Sequence, residues 1–407
     1  MKNNFDQTGN SHYINRINKV NVLELIRFHE GISRAEIAKR SRLSPPTVSR
    51  IVENLIEDSF VSEMGVGQSR GGRRPTMLHF AGEKNLIIGI DLGTTHIYGI
   101  LSDLNARVIK EICVPTNVDE GFNRIMDRTS GVIEKLLNEG QTKKTRILGA
   151  GMAVAGLINK KRNIVEFSPD FHWHNADVLK ELTPRFDLPI IFDNVTRVMA
   201  IGELFYGIGN KYRHFICVNV GYGIGAGIII NGSPLEGPLG LAGEFGHVTL
   251  DRKSEIQCDC GNFGCLEALA SGNAIAKKAQ KALAHETKSV LFEMCGGDVS
   301  KVTAEMVAQA ASQGDSLAWW IFDEAMDYLG VGIAGLINLF NPEAVVIGGG
   351  VAQAGDIVFE KVRKTVNART LKKAASEVVI QPATFGLMAA VMGAVSLISD
   401  KVLNFEF

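Results

Sequence analysis

Three cysteines crowded into eight residues constrain this chain more than any other feature of its sequence. Cys258, Cys260 and Cys265 lie in a glycine-containing segment, and His247 precedes them at the end of a Glu-Phe-Gly-His motif. Three thiolates and one imidazole complete a tetrahedral zinc site with no open position for a catalytic water, so the predicted Zn²⁺ is structural. Three unligated cysteines in one loop are the alternative. The spacing suits metal coordination better than a disulfide framework and predicts a reducing compartment.

Length and composition indicate a folded protein with two or three cooperating units. A chain of 407 residues exceeds what one hydrophobic core usually supports, and 45% hydrophobic with 21% charged residues is ordinary for a globular protein. The N-terminus lacks the apolar core of a secretory signal, and no apolar run reaches the roughly 20 residues of a membrane helix. We therefore expect a cytoplasmic protein without membrane insertion.

The first 80 residues follow the pattern of a winged helix-turn-helix. Apolar positions at three-residue steps predict a first helix within residues 15–30. Ser33 and Glu36 form a capping box for a short second helix that ends near residue 41. Ser44 is then an N-cap, with Pro45 at the first helical position, for a third helix that runs to about residue 58.

The predicted third helix presents a short polar face, as a helix that reads the major groove must. A glycine-flanked basic segment follows at residues 65–75 and is typical of a wing that reaches the minor groove or phosphates. Residues 1–80 hold 12 Lys and Arg against 8 Asp and Glu, which favours a polyanionic partner. An ordinary three-helix bundle with a solvated linker is the alternative. The residues predicted to contact DNA are Ser44, Pro45, Thr47, Ser49, Arg50, Arg70, Arg73 and Arg74.

The remaining residues alternate apolar strands, glycine-rich turns and helical stretches, which predicts an α/β body with two lobes around a cleft. Strands are expected at 86–91, 215–220 and 344–347, and helices at 122–138 and 317–340. Two of the turns resemble loops that present backbone amides to phosphate. Their residues are Asp91, Gly93, Thr94 and Thr95 in the first loop, and Gly221, Gly223 and Gly225 in the second.

Taken together, these motifs resemble the ROK family (repressors, open reading frames, kinases). The motifs that carry the resemblance are a strand followed by Asp-Leu-Gly-x-Thr, ExGH, CxCGxxGCxE and a late triple glycine at 348–350. The helix-turn-helix resembles the repressor branch of the family, typified by the xylose, glucose and N-acetylglucosamine repressors. The resemblance implies an actin-like, ribonuclease-H-like fold with a sugar held between the lobes. We expect a DNA-binding domain at 1–80, a first lobe at 84–205 completed by a C-terminal helix at about 386–405, and a second lobe at 206–385.

The resemblance also implies which residues bind the sugar. Carboxylates accept hydrogen bonds from vicinal hydroxyls, and a metal-bound imidazole has a fixed tautomer. The alternative for Glu244 and Glu267 is that they are surface carboxylates beside a zinc loop. Carried over by position, the ligand-binding residues are Asn194, Glu244, His247, Glu267, Gly156 and Asp170, and the metal ligands are His247, Cys258, Cys260 and Cys265.

The chain departs from the family's kinases where proton abstraction should occur. The kinases place an aspartate directly after the cleft asparagine. When the segment at 192–203 is aligned with the family pattern by its Gly202-Glu203 end, Val195 takes the position of that aspartate. Valine accepts no proton, so a general-base contribution of roughly 10²- to 10⁴-fold is absent. Thr94 and Tyr222 also crowd the two phosphate loops, which we interpret as vestigial. The chain is predicted not to be an enzyme.

These observations predict a sugar-responsive repressor of carbohydrate uptake or catabolism genes that binds a double-stranded operator as a homodimer or homotetramer. Two alternatives stay open at this point. One is a sugar kinase that carries its own DNA-binding head, and the other is a repressor controlled by a protein partner from a sugar-transport system.

Overall fold

The computed structural model describes residues 11–29, 31–66, 74–140, 145–284 and 288–406. Its N-terminal head has three helices and a three-stranded sheet of order β1-β3-β2, in which both pairings are antiparallel. These elements are α1 (Ser11–Arg27), β1 (Ile32–Ser33), α2 (Arg34–Ser41), α3 (Pro45–Glu57), β2 (Val61–Val66) and β3 (Thr76–Phe80).

Local capping explains the helix boundaries in the head. The Ser33 hydroxyl accepts from the amide of Glu36, the Ser44 hydroxyl accepts from the amide of Thr47, and Arg42 takes a left-handed conformation between the two helices. The buried face of the first helix differs from the predicted apolar positions at three-residue steps. Val22, which is outside that spacing, is fully buried, whereas Ile17, which is part of it, is 39% exposed. The short strand β1 was not foreseen, since its two residues acquire strand structure only by pairing with β3.

Two five-stranded sheets of the same topology form the body. Each has a three-stranded antiparallel meander with two parallel strands added beside its first strand, and the strand orders are β11-β7-β4-β5-β6 and β16-β15-β12-β13-β14. The first contains β4 (Asn85–Leu92), β5 (His96–Asp103), β6 (Val108–Pro115), β7 (Arg146–Val154) and β11 (Ile190–Asn194). The second contains β12 (Phe215–Val220), β13 (Ile224–Ile230), β14 (Ser233–Pro234), β15 (Ala344–Gly348) and β16 (Val379–Pro382).

Helices and a small sheet cover the two large sheets. The first sheet is flanked by α4 (Phe122–Gly140), α5 (Val178–Leu182) and an antiparallel sheet of β8 (Leu157–Asn159), β9 (Ile164–Ser168) and β10 (Trp173–Ala176). The second packs against α7 (Leu266–Ala270), α8 (Gly272–Leu283), α9 (Val290–Met294), α10 (Ala304–Ser312), α11 (Ser316–Phe340), α12 (Asp356–Arg369) and α13 (Lys372–Glu377).

Two helices cross between the sheets, α6 (Val195–Tyr206) and α14 (Ala389–Leu403). They pack closely because Gly202 and Gly393 meet at the crossing, and α14 also lies on β4 and β7. Among the described residues, the window Gly386–Leu403 has the length and apolar composition of a membrane span, but 72% of it is buried inside the protein. Most of its apolar residues therefore belong to the core.

The head packs directly on the body. Phe60 and Phe405 form an edge-to-face pair with ring centroids 5.8 Å apart, and Lys19 lies 4.1 Å above the ring of Phe405. Asn85 donates to the carbonyl of Ser59 over 2.8 Å. The buried residues of the head, of β4 and β5, and of α14 form one continuous apolar cluster.

Candidate metal centre and ligand cleft

The four predicted metal ligands converge. The ligand atoms of His247, Cys258, Cys260 and Cys265 all lie within 4.8 Å of one another. Gly261 and Gly264 have φ values of +92° and +66°, which let the loop turn back on itself, and antiparallel bridges at 249–265 and 257–263 brace it. The cluster could therefore hold one metal ion.

The distances within the cluster fit a tetrahedral thiolate and imidazole site. Zinc bond lengths place two sulfur ligands roughly 3.8 Å apart, and a sulfur and a nitrogen ligand roughly 3.6 Å apart. The Sγ atoms of Cys260 and Cys265 are 3.8 Å apart, and Sγ of Cys258 lies 3.6 Å from Nδ1 of His247. The residues present therefore match the ligand set and the size of a zinc ion.

The imidazole of His247 joins the metal cluster to the cleft. Its Nδ1 faces Cys258, while its Nε2 lies 4.0 Å from the carboxylate of Glu244. A metal on Nδ1 leaves the proton on Nε2, directed to the cleft side. Burial raises the pKa of Glu244, and the neighbouring His247 and Arg197 oppose that shift.

Glu267 links the metal loop to the second glycine turn. Its carboxylate accepts from the amide of Ile224 over 2.8 Å, and it lies near the Sγ of Cys258 at 3.9 Å. Asp170, from the first lobe, faces the same region: burial first, and then the nearby carboxylates Glu267 and Asp259, raise the pKa of Asp170 to about 6. Carboxylates from both lobes therefore line one opening.

Asn194, one of the predicted ligand-binding residues, also has a role in the fold. It is the N-cap of α6, where its Oδ1 accepts from the amide of Thr196 at 3.0 Å and from the hydroxyl of Thr196 at 2.6 Å. Its Nδ2 donates to the carbonyl of Gly156 over 2.9 Å. One Nδ2 proton therefore stays available to a ligand, while the oxygen is already used by the helix.

The carboxylate nearest to the expected base position is locked in an ion pair. Val195 is the first residue of α6, and Asp193 two residues earlier is 2% exposed. Asp193 accepts from Nε of Arg197 at 2.9 Å and lies 2.6 Å from Nζ of Lys160. These two cations outweigh burial and lower the pKa of Asp193, so it is a weak base.

The same cations reach across to the segment that leads into Glu244. Arg197 donates to the carbonyl of Gly240 over 3.1 Å, and Lys160 pairs with Glu236 at 2.7 Å. These contacts were not predicted from the sequence. Asp193 and Arg197 are only four positions apart in the sequence, at the junction of β11 and α6. The pairing of Lys160 with Glu236 has no sequence signal, because these residues are 76 positions apart.

The two glycine turns lie at the carboxyl ends of β4 and β12, where the cleft opens. In the first turn, the amide of Gly93 donates a hydrogen bond to the carbonyl of His96. Thr94 is partly exposed there and Thr95 is exposed. In the second, a side chain at Gly223 would collide with Glu267, and one at Gly225 with Thr196. Burial raises the pKa of Asp91 to about 7.

The predicted DNA surface is exposed on the head. Ser44, Pro45 and Arg50 are exposed on α3, Thr47 and Ser49 are partly exposed, and Arg74 is exposed at the base of the wing. The opposite face of α3 is buried through Val48, Ile51, Val52 and Leu55. Arg70 and Arg73 lie outside the described residues.

Fold and site define a class of protein: a two-lobed, kinase-like α/β body with a loop that could hold a metal ion at its cleft, joined to a winged helix-turn-helix. The chain belongs to the ROK family, because the ROK family model matches residues 87–401. A winged helix-turn-helix DNA-binding model matches residues 16–62.

Individual relatives agree with this assignment. The chain is 33% identical over 399 residues to the xylose repressor of Caldicellulosiruptor bescii, covering 98% of this chain and 99% of that protein. It is 32% identical over 320 residues to the glucokinase of Thermotoga maritima, covering 78% of this chain and 98% of the glucokinase. A crystal structure of a ROK family transcriptional regulator, homologous to the Escherichia coli MLC protein, superposes with a TM-score of 0.82 at 27% identity, covering 96% of this chain and 97% of that one. The repressor and the glucokinase therefore both match the body of this chain, whereas the match to the repressor also includes the head.

Proposed function

We propose that this protein is a sugar-responsive transcriptional repressor of carbohydrate uptake or catabolism genes, and that its cleft binds a sugar without phosphorylating it. The observation that carries the proposal is the buried ion pair of Asp193 with Arg197 beside Val195. This arrangement leaves valine where a kinase needs a base, while the carboxylates of Glu244 and Glu267 stay at the cleft. The similarity to a repressor over 98% of the chain supports it.

In this proposal Glu244 and Glu267 accept hydrogen bonds from sugar hydroxyls, and His247 donates from Nε2. Asp170 and the free Nδ2 proton of Asn194 add contacts from the first lobe. Gly156 takes a φ of +132° and lies against Ser168, which brings its backbone close to the ligand.

We assign the metal cluster to a structural Zn²⁺ held by His247, Cys258, Cys260 and Cys265. The ion would replace thiol protons with a strong Lewis acid and fix the ring of His247 toward Glu244. Four protein ligands leave no position for a bound water, so the ion would shape the cleft and would not activate a nucleophile.

For the head, we propose that α3 enters the major groove with its N-terminal half. Thr47, Ser49 and Arg50 would read base edges there, while the acidic Glu53 and Glu57 are exposed nearer the helix C-terminus, where DNA would repel them. Arg70, Arg73 and Arg74 would contact the minor groove or backbone. A cytoplasmic homodimer or homotetramer would place two heads on a pseudo-palindromic operator.

We further propose the domain division 1–80, 84–205 with 386–405, and 206–385, so that a sugar between the lobes changes their relative placement. A sugar shifts operator binding only if it prefers one of two global states, and a few kcal/mol of differential affinity suffices.

The test is operator binding by the full-length protein, titrated with a panel of pentoses, hexoses and amino sugars. We expect one sugar to change operator affinity, and Glu244→Gln to abolish that change while the sugar-free affinity stays the same. Glu139→Gln, an exposed glutamate at the end of α4, is the matched control and should respond as the wild type does.

Sensitive detection of ADP with the same sugars addresses the kinase alternative. ATP-dependent turnover that disappears in Glu244→Gln would overturn the proposal. If no free sugar stabilises the protein at millimolar concentration, control by a protein partner replaces sugar sensing.

A further inference from the structure

A cavity of about 650 Å³ adjoins the cleft and is larger than the proposed sugar site needs. It includes Asp170 and Glu267, and continues between the metal loop at 251–259 and the face of α8 to Tyr328 on α11. Pockets of roughly 300–1,000 Å³ hold drug-sized ligands, whereas one pyranose ring is considerably smaller. The cleft therefore has space for a ligand that extends beyond one ring.

Tyr222 provides a platform at the junction between cleft and cavity. It lies between Gly221 and Gly223 in the second glycine turn, and 53% of it is exposed. An aromatic ring has a negative face that attracts the C–H groups of a sugar ring, and its hydroxyl adds a polar contact at one edge.

The charges around the cavity disfavour a phosphorylated ligand. Six carboxylates line it, against three lysines, and one of those lysines, Lys278, already pairs with Glu324. Repulsion between carboxylates and a phosphate opposes binding of a sugar phosphate, whereas the hydroxyls of a neutral sugar can donate to the same carboxylates. The lining residues with charge are Asp170, Asp251, Glu255, Asp259, Glu267, Glu324, Lys277, Lys278 and Lys281.

We propose that this cavity is a subsite for a second sugar ring, and that the effector is a neutral disaccharide or longer glycoside. One ring occupies the cleft at Glu244 and Glu267, and the next packs on Tyr222 between the metal loop and α8. This inference rests on the proposed sugar-sensing function.

The experiment compares matched pairs of sugars by calorimetry on the full-length protein: xylose with xylobiose, glucose with cellobiose, and glucose with maltose. For one pair we expect the disaccharide to bind at least about tenfold more tightly than its monosaccharide, as one good ring contact provides. Tyr222→Ala should bring the ratio of the two affinities close to one, and Tyr222→Phe, which keeps the ring, should preserve it.

Each other outcome has a distinct meaning. Equal affinities within every pair, or an unchanged ratio in Tyr222→Ala, overturn the second subsite and leave monosaccharide sensing intact. Tighter binding of glucose 6-phosphate than of any disaccharide also overturns it. If neither sugars nor sugar phosphates bind the wild type, the proposed function fails as well.

Discussion

Asp193 shows how one side chain can be removed from chemistry by its neighbours. A carboxylate two residues from the expected base position could in principle take a proton, and its sequence position alone does not exclude that. The structure buries it between Arg197 and Lys160, whose charges favour the ionised form and lower its pKa. Its carboxylate oxygens face these cations, so it is a weaker base than a free aspartate.

A second carboxylate, that of Asp91, is expected to make the free energy of unfolding depend on pH. Burial raises its pKa to about 7, so the folded protein keeps a proton that the unfolded chain releases above about pH 4. The contribution of Asp91 to the free energy of unfolding therefore falls as pH rises from about 4 to 7. Asp91→Asn removes this loss. The free energy of unfolding of the variant, relative to that of the wild type, should therefore grow over that range and level off above pH 7, with a gain of about 1–3 kcal/mol.

Urea unfolding of both proteins between pH 4 and 9 measures the effect. Asp119→Asn, an exposed carboxylate in the same lobe, is the control and should show no such trend. A difference between Asp91→Asn and wild type that is equal at every pH would contradict the assigned pKa.

Among the elements, α6 connects the cleft to the rest of the molecule. Asn194 caps its first turn, Arg197 anchors the segment before Glu244, and Tyr206 in its last turn bonds to Ser399 on α14 over 2.7 Å. The ring of Tyr206 also lies 5.9 Å from the guanidinium of Arg27 in α1. One rigid helix therefore contacts the cleft, the crossing helix and the head.

The crossing of α6 and α14 depends on glycine. A Cβ at Gly393 would collide with the backbone carbonyl of Val198, which cannot move without shifting α6. Gly393→Ala should therefore lower the free energy of unfolding by about 1–3 kcal/mol or more.

Gly131→Ala is the matched control for this prediction. It lies within α4 with open space around its Cα, so alanine should stabilise the protein by about 0.5–1 kcal/mol. Chemical denaturation of both variants gives the comparison, and equal effects at the two positions would show that backbone packing at the crossing does not matter.

For the whole molecule, the contact between head and body limits how freely the DNA-binding surface moves. Phe405 lies just beyond α14, and its ring contacts Phe60 and Lys19 of the head. Phe405→Ala should therefore loosen the head while leaving the two large sheets intact, because the buried residues of α14 that pack on the body lie within the helix and are unchanged.

Hydrogen exchange resolved along the chain tests this prediction. Amides in α3 should exchange faster in Phe405→Ala, whereas those in β4 and β7 should be unchanged. Leu387→Ala is the control, because this side chain is 70% exposed. Unchanged protection of α3 would show that Phe405 does not hold the head.

The sequence by itself determined the features that depend on neighbouring residues. Caps at Ser33 and Ser44, the glycine turns and the spacing of the cysteines act within a few positions, so their chemistry is visible before the chain folds. The family pattern extended these local signals to the two-lobed fold, which the structure confirms.

Only the tertiary structure decided the contacts between distant segments. The link from Lys160 to Glu236, the docking of Phe405 on the head and the cavity beside Tyr222 each join residues from separate parts of the chain. Such contacts depend on how strands and helices are ordered in space, and the cost of bringing their residues together is met by burial of the whole core rather than by local sequence.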